Sequence, residues 1–184
     1  MNIDPTSLFN NLTDQKLPPI ESWDPPFCGD INISINRDGQ WSYEGSVFTR
    51  LPLVKLFAKV LKKEGNDYYL VTPVEKVRIT VEAEPFITKN LELNNTDNPE
   101  IAFMTTLDDI VIADKEHPIK VIEKNGFPYP TILIRNNLHA LISRSDFYQL
   151  VEISTSVPTS NDGNSALSNC IVKSRGCSFS LGQY

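Results

Sequence analysis

The chain has 184 residues, enough for one ordinary domain or two small ones of about 80 residues each. A hydrophobic fraction of 40% can fill a core, and 22% charged residues is too few for a disordered chain. The formal net charge of −6, with a pI near 4.9, disfavours sequence-blind nucleic-acid binding, which needs many Lys and Arg to release counterions from phosphates.

No run approaches the roughly 18 apolar residues of a membrane helix. Residues 1–16 lack the cationic start and apolar run of a signal peptide. The cysteines Cys28, Cys170 and Cys177 are odd in number and show no Cys-x-x-Cys spacing, which points to a reducing compartment. A cytoplasmic protein with no membrane partner is expected.

Residues 1–27 are polar and then proline-rich, so an extended arm is expected. It either offers a proline-rich ligand or lies across its own protein, anchored by Trp23 and Phe27. Ile31-Asn-Ile-Ser-Ile35 alternates with a period of two, Arg37-Asp-Gly39 reads as a turn, and Trp41-Ser-Tyr43 resumes the alternation, which predicts a hairpin over residues 31–44. A helix follows, with Thr49 as N-cap, Pro52 in its first turn and Gly65 as its stop. Leu53, Leu56, Phe57, Val60 and Leu61 share its apolar face, and Lys55, Lys59 and Lys62 the other.

Strands are predicted at residues 68–71, 77–81, 86–93, 101–104, 110–112, 119–122 and 131–134. Their short lengths and regular turns argue for antiparallel sheet and against βαβ units. Residues 49–57 align without gaps on residues 143–151, an offset of 94. Each copy has a hydroxyl residue at the cap, then an Arg (Arg50, Arg144), and apolar residues at matching positions. Ser143 and Asp146 form a capping box. A strand–turn–strand precedes each copy, at residues 31–43 and 131–142.

An α+β protein with an internal duplication of hairpin plus helix follows, its two β-rich antiparallel lobes covering residues 28–93 and 100–153. They are joined where Asn94-Asn-Thr-Asp-Asn-Pro99 is rich in turn formers. Residues 154–169 hold ten Ser, Thr or Asn and read as a linker. Residues 170–182 regain some alternation, either as an edge strand or as a mobile tail, so residues 154–184 form a linker and tail.

Cys28-Gly-Asp-Ile31, Asp38-Gly-Gln-Trp41, residues 50–61, Leu70-Val-Thr-Pro-Val-Glu-Lys76 and residues 130–150, taken in this order, resemble the bacterial family called domain of unknown function 1285. The similarity runs from about Trp23 to Ile153, with an echo at residues 176–182. Thr72-Pro-Val-Glu-Lys76 is its most specific string, and the Ser-rich segment 154–169 departs from it. The resemblance implies a duplicated β-rich fold whose second lobe is superficially similar to pleckstrin-homology domains. It also implies a binding groove between lobes, a context in signal transduction, and no enzymatic activity.

The chain holds two histidines, His117 and His139, each alone, and no metal-ligating spacing, nucleophile elbow or phosphate-cradling glycine loop. No metal and no cofactor are expected. Cys28 reads either as a nucleophile with His139 as its base or, more simply, as a buried structural cysteine. Thr72, Glu75 and Lys76 either shape a bend or line the groove. Residues 50–63 carry five basic and no acidic residues, either a solvated face or an anion site. Arg50 and Arg144 alternatively tie each helix to its hairpin.

The expected function is a noncatalytic binding or regulatory module. Its candidate ligand-binding residues are Arg50, Lys55, Lys59, Lys62, Thr72, Glu75, Lys76 and Arg144. Its partner is a protein or small anionic effector rather than nucleic acid. The alternatives are an RNA- or nucleotide-binding protein using the lysine face with Trp41 and Tyr43, and a small enzyme built on Cys28 or Glu75.

Overall fold

The computed structural model describes residues 17–94, 97–158 and 168–183. It divides into two units with the boundary at Ala83/Glu84, about ten residues before the expected joint. The Asn- and Pro-rich run instead connects two paired strands of the second unit, Asn94 facing Glu100.

In the first unit, strands β1 (Phe27–Ile35), β2 (Trp41–Tyr43) and β3 (Ser46–Val47) precede helix α1 (Leu51–Lys59). Strands β4 (Leu61–Glu64), β5 (Asp67–Val71) and β6 (Lys76–Val81) follow it. The sheet order is β3-β2-β1-β6-β5-β4. The alternation read in residues 31–35 is realised: Ile31, Ile33 and Ile35 all face the core, with Val77 and Ile79 of β6 and Leu70 of β5. Helix α1 adds Val54, Phe57 and Ala58, and Trp41 stacks on Phe57 with ring centroids 6.3 Å apart.

The helix is shorter than its apolar spacing predicts. It ends at Lys59, and Leu61–Glu64 form a strand paired with β5, Lys62 opposite Tyr69. Gly65, at φ +59°, therefore serves the β4–β5 turn instead of stopping a helix. Thr49 is not the cap: Arg50 takes that place without a side-chain hydrogen bond. The arm is also held differently. A 3-10 turn at Ile20–Ser22 interrupts it, Ile20 and Pro25 are the buried residues among those of the arm that are described, and Phe27 is exposed within β1. Residues 1–16 lie outside the described residues.

The second unit contains β7 (Phe86–Asn94), β8 (Glu100–Thr105), β9 (Ile110–Ile112), β10 (Ile119–Lys124), β11 (Phe127–Arg135) and β12 (Leu138–Leu141). Helix α2 (Arg144–Ile153) comes next, then β13 (Thr155–Pro158), β14 (Ser168–Ser174) and β15 (Cys177–Gln183). The main sheet runs β10-β11-β12-β7-β8-β9, and the last three strands form a sheet of their own.

The duplication is real at the level of the sheet, but its frame differs from the one the helix repeat suggests. The six-stranded sheet of each unit consists of two three-stranded antiparallel meanders, joined through a parallel pair between the first strand and the last: β1 with β6, β7 with β12. The sheets are therefore mixed, not purely antiparallel. The parallel pair arises because the second meander begins at the far edge and folds back toward the centre. Helix α1 stands between the meanders of the first unit, whereas α2 follows both meanders of the second. The hairpin before α1 thus corresponds to β7–β8, not to the β11–β12 hairpin before α2.

The helix alignment slips too. At an offset of 94 the buried Val54 and Phe57 fall on the exposed Tyr148 and Val151, while an offset of 93 matches them to Phe147 and the buried Leu150 and aligns the two caps. The Ser143 cap is as predicted, its Oγ accepting the Asp146 N–H at 3.2 Å. The Asp146 carboxylate, however, accepts from the Thr88 hydroxyl of β7 instead of returning to the Ser143 backbone. Thr88 Oγ1 takes the Ser143 N–H at 2.9 Å.

The Ser-rich segment is only partly a linker. β13 pairs with β14, and a tight turn at Arg175-Gly176 (φ +48° and +73°) leads into β15. The hairpin is fixed to β8: Ser174 Oγ accepts the Ile101 N–H at 3.0 Å, and Arg175 N–H donates to Pro99 O at 2.9 Å. The Arg175 guanidinium reaches Glu100 at 2.8 Å and Asp114 at 3.4 Å. Residues 159–167 lie outside the described residues.

Candidate functional site

Seven of the eight residues singled out from the sequence lie in the first unit. Thr72 is only 1% exposed and is consumed by its own turn. Its Oγ1 accepts the Glu75 N–H at 3.0 Å, and its N–H donates to Glu75 O at 2.8 Å. Thr72-Pro-Val-Glu75 is thus a structural bend between β5 and β6, and its buried Thr72 side chain lines no groove.

Lys76 and Lys62 are brought together, because register places β4 beside β5 and β5 beside β6. Both ammonium groups meet Glu64: Lys76 hydrogen-bonds it, and Lys62 stands 3.5 Å away, with Glu21 at 3.7 Å. Lys76 also lies 4.5 Å above the Tyr69 ring. The Lys76 hydrogen bond holds the Glu64 carboxyl below its usual range, against the opposing effect of burial and with help from the charge of Lys76 and from Lys62. Each cation already has an anion, so this cluster has little charge to offer a ligand.

The expected lysine face also divides. Lys55 and Lys59 stay on α1, while Lys62 and Lys63 belong to β4. Arg50 and Arg144 are both exposed, and among the described residues neither side chain forms a hydrogen bond or ion pair that would tie its helix to a hairpin. Trp41, proposed with Tyr43 as a base-stacking platform, is 2% exposed and covered by Phe57. Cys28 is exposed rather than buried and donates to Pro26 O at 3.3 Å. It belongs to the first unit and His139 to the second. Among the described residues no group of three His, Cys, Asp or Glu could hold a metal ion, and no helix is long and apolar enough to cross a membrane.

A concavity lies wholly within the second unit and contains none of those eight residues. It is a groove of about 640 Å³ with three walls. Val121, Ile122 and Glu123 of β10 form one, and Phe147 and Val151 of α2 another. Leu181, Gly182 and Gln183 of β15 form the third, with Ser156 and Cys170 beside them on the adjoining strands. Two of its apolar lining side chains are left in water by folding, Ile122 at 59% and Val151 at 41% exposure, and Phe127 at the β10–β11 tip, between the lining residues Gly126 and Pro128, is 74% exposed. A mostly apolar groove with a few polar groups at its margin is the usual form of a binding site.

The sequence offered one sign of it. Ile119-Lys-Val-Ile122 places apolar residues on both faces of one strand, more than a half-buried strand requires. The other walls come from α2 and from a hairpin concealed behind a Ser-rich composition, and no local pattern links them.

Residues 18–84 match the domain described as "Domain of unknown function (DUF1285), N-terminal domain", and residues 85–181 match "Protein of unknown function (DUF1285), C-terminal domain". The crystal structure of a DUF1285 family protein from Silicibacter pomeroyi DSS-3 is 33% identical, covers 98% of this chain and 95% of its own, and has a TM-score of 0.85. That of a DUF1285 family protein from Shewanella baltica OS155 is 24% identical, with 66% and 91% coverage and a TM-score of 0.54, a likeness of fold alone. No curated protein matches the chain.

Proposed function

The chain belongs to the DUF1285 family, and from that premise we propose that it is a noncatalytic binding module that takes a segment of a protein partner in the groove of its second unit. The observation that carries this reading is the groove itself: a concavity of about 640 Å³ lined in part by Ile122 and Val151, large apolar side chains that folding leaves exposed. A small anionic effector is the weaker partner, because the basic residues suited to it at Lys62 and Lys76 are already paired with Glu64 and Glu21. A cytoplasmic signalling role, and the likeness of the second unit to pleckstrin-homology domains, belong to the same proposal. Two antiparallel meanders followed by a single helix support the latter.

The test is selection of peptides from a displayed random decapeptide library on the full chain, followed by affinity measurement with the synthetic peptides. Val151→Asp places a charge in the groove and is expected to lower affinity at least tenfold. Lys55→Glu with Lys59→Glu is expected to leave it within twofold. Failure to select any peptide, or binding indifferent to Val151→Asp, would overturn the reading.

A further inference from the structure

The groove is bounded by β10, and the β10 backbone is half unused. Leu133 N–H donates to Pro118 O at 3.3 Å, and Ile142 N–H donates to Pro130 O at 2.9 Å. In an antiparallel ladder, alternate residues turn their N–H and C=O toward the same neighbour. Leu133, Thr131, Tyr129 and Phe127 of β11 therefore bond toward β10, and their partners there are Pro118, Lys120, Ile122 and Lys124. The alternate residues Val121 and Glu123 stand opposite Pro130 and Pro128, and their own N–H and C=O groups point away from β11.

On that side β10 is the edge of its sheet, and β15, the edge of another, lies beside it without pairing. Both residues line the groove. Exposed edge amides and carbonyls of this kind are a template for an added strand.

We propose that the partner segment adds to β10 as an extended strand, bonding the main chain of Val121 and Glu123, with a Lys or Arg placed against the Glu123 carboxylate. This rests on the groove being the binding site. Charge chooses the occupant: Glu123 is the one ionised side chain lining the groove, and it forms no ion pair among the described residues. The second unit as a whole holds eight basic against twelve acidic side chains. A second copy of the chain fits less well. Antiparallel pairing of β10 with itself about Val121 would set Glu123 opposite Ile119 and leave its carboxylate without a cation. Three residues on each long wall correspond to about 10 Å of extended chain, so the bonded stretch is about three or four residues.

The experiment uses the full chain with the selected decapeptide that binds most tightly. Peptide binding is expected to slow amide exchange at Val121 and Glu123, leaving Ile122, already bonded to β11, unchanged. Val121→Pro removes a donor that the β11 ladder does not use and is expected to lower affinity at least tenfold, well beyond the loss from Val121→Ala, which removes groove side-chain area but keeps the amide. Glu123→Lys is expected to weaken the peptide severalfold, more at low salt.

If Val151→Asp abolishes binding but Val121→Pro does not, and the two amides gain no protection, strand addition is overturned while the groove reading stands. Binding indifferent to both substitutions overturns the groove reading itself. Self-association of the wild type that Val121→Pro abolishes, and with which the peptide competes, makes a second copy the occupant and overturns the proposal.

Discussion

The Thr88 hydroxyl on β7 donates to the buried carboxylate of Asp146 in the first turn of α2, and the same oxygen accepts the Ser143 N–H at 2.9 Å. One side chain thus serves both halves of a helix cap, and both partners are almost without solvent, at 1% and 2% exposure. Thr88→Val keeps the shape and strands a carboxylate and an amide. It should destabilise the second unit by about 2–3 kcal/mol in urea denaturation, whereas Thr88→Ser should cost less than half of that. Equal losses for the two would mean that packing, not hydrogen bonding, is what Thr88 contributes.

Thr72 is expected to behave as a turn residue. Thr72→Val removes the acceptor for the Glu75 N–H and should cost about 1–2 kcal/mol of stability in the first unit. Affinity for a groove peptide should stay within twofold. A large change in affinity at unchanged stability would return Thr72 to the binding site.

Glu64 supplies a pH dependence of known sign. The Lys76 hydrogen bond lowers its folded pKa, so the ion pair stabilises the protein wherever an unfolded Glu is ionised, above about pH 4.3. That contribution fades as pH falls through the lower, folded value. The pair is substantially solvated, so its worth is below about 1 kcal/mol. Denaturation of wild type and Glu64→Gln should show a constant gap from pH 5 to 7 that closes in acid. A gap that widens in acid would contradict the assignment.

Cys170 lines the groove, so its thiol reports on the site. In a Cys28→Ser/Cys177→Ser background, attaching a bulky maleimide to Cys170 should lower peptide affinity at least tenfold. Bound peptide should also slow the labelling. Undiminished binding by the fully labelled protein would place the ligand elsewhere.

Much of the strand layout was legible because period-two alternation is a local property. Ile110–Ile112 was located to the residue, and the runs at residues 77–81 and 101–104 fell within β6 and β8. Helix α1 was over-extended because Val60 and Leu61 continue its apolar face, although β-branched Val60 is buried at the turn into β4. The parallel pairs β1–β6 and β7–β12 were not legible, since each joins strands far apart in sequence through backbone bonds that leave no side-chain pattern. The candidate site was hidden for a related reason. Val121, Phe147 and Leu181 acquire a common surface only through the tertiary fold, while Lys62, one of the lysines that stood out by composition, is paired with Glu64 and Glu21.

Between Ile112 of β9 and Ile119 of β10 the chain has six residues, turned back by Asp114 N–H to His117 O, yet these strands are the two edges of a six-stranded sheet. Laid flat, such a sheet is about 24 Å across, and seven virtual bonds reach that far only when fully drawn out. The second unit must therefore curl toward a barrel with an unstitched seam. The C-terminal hairpin straddles that seam, its tip on β8 and the loop at Asp114 and its last strand beside β10. What composition presents as a loose tail is the clasp of the barrel, and ending the chain before Ser168 would leave it gaping rather than merely shorter.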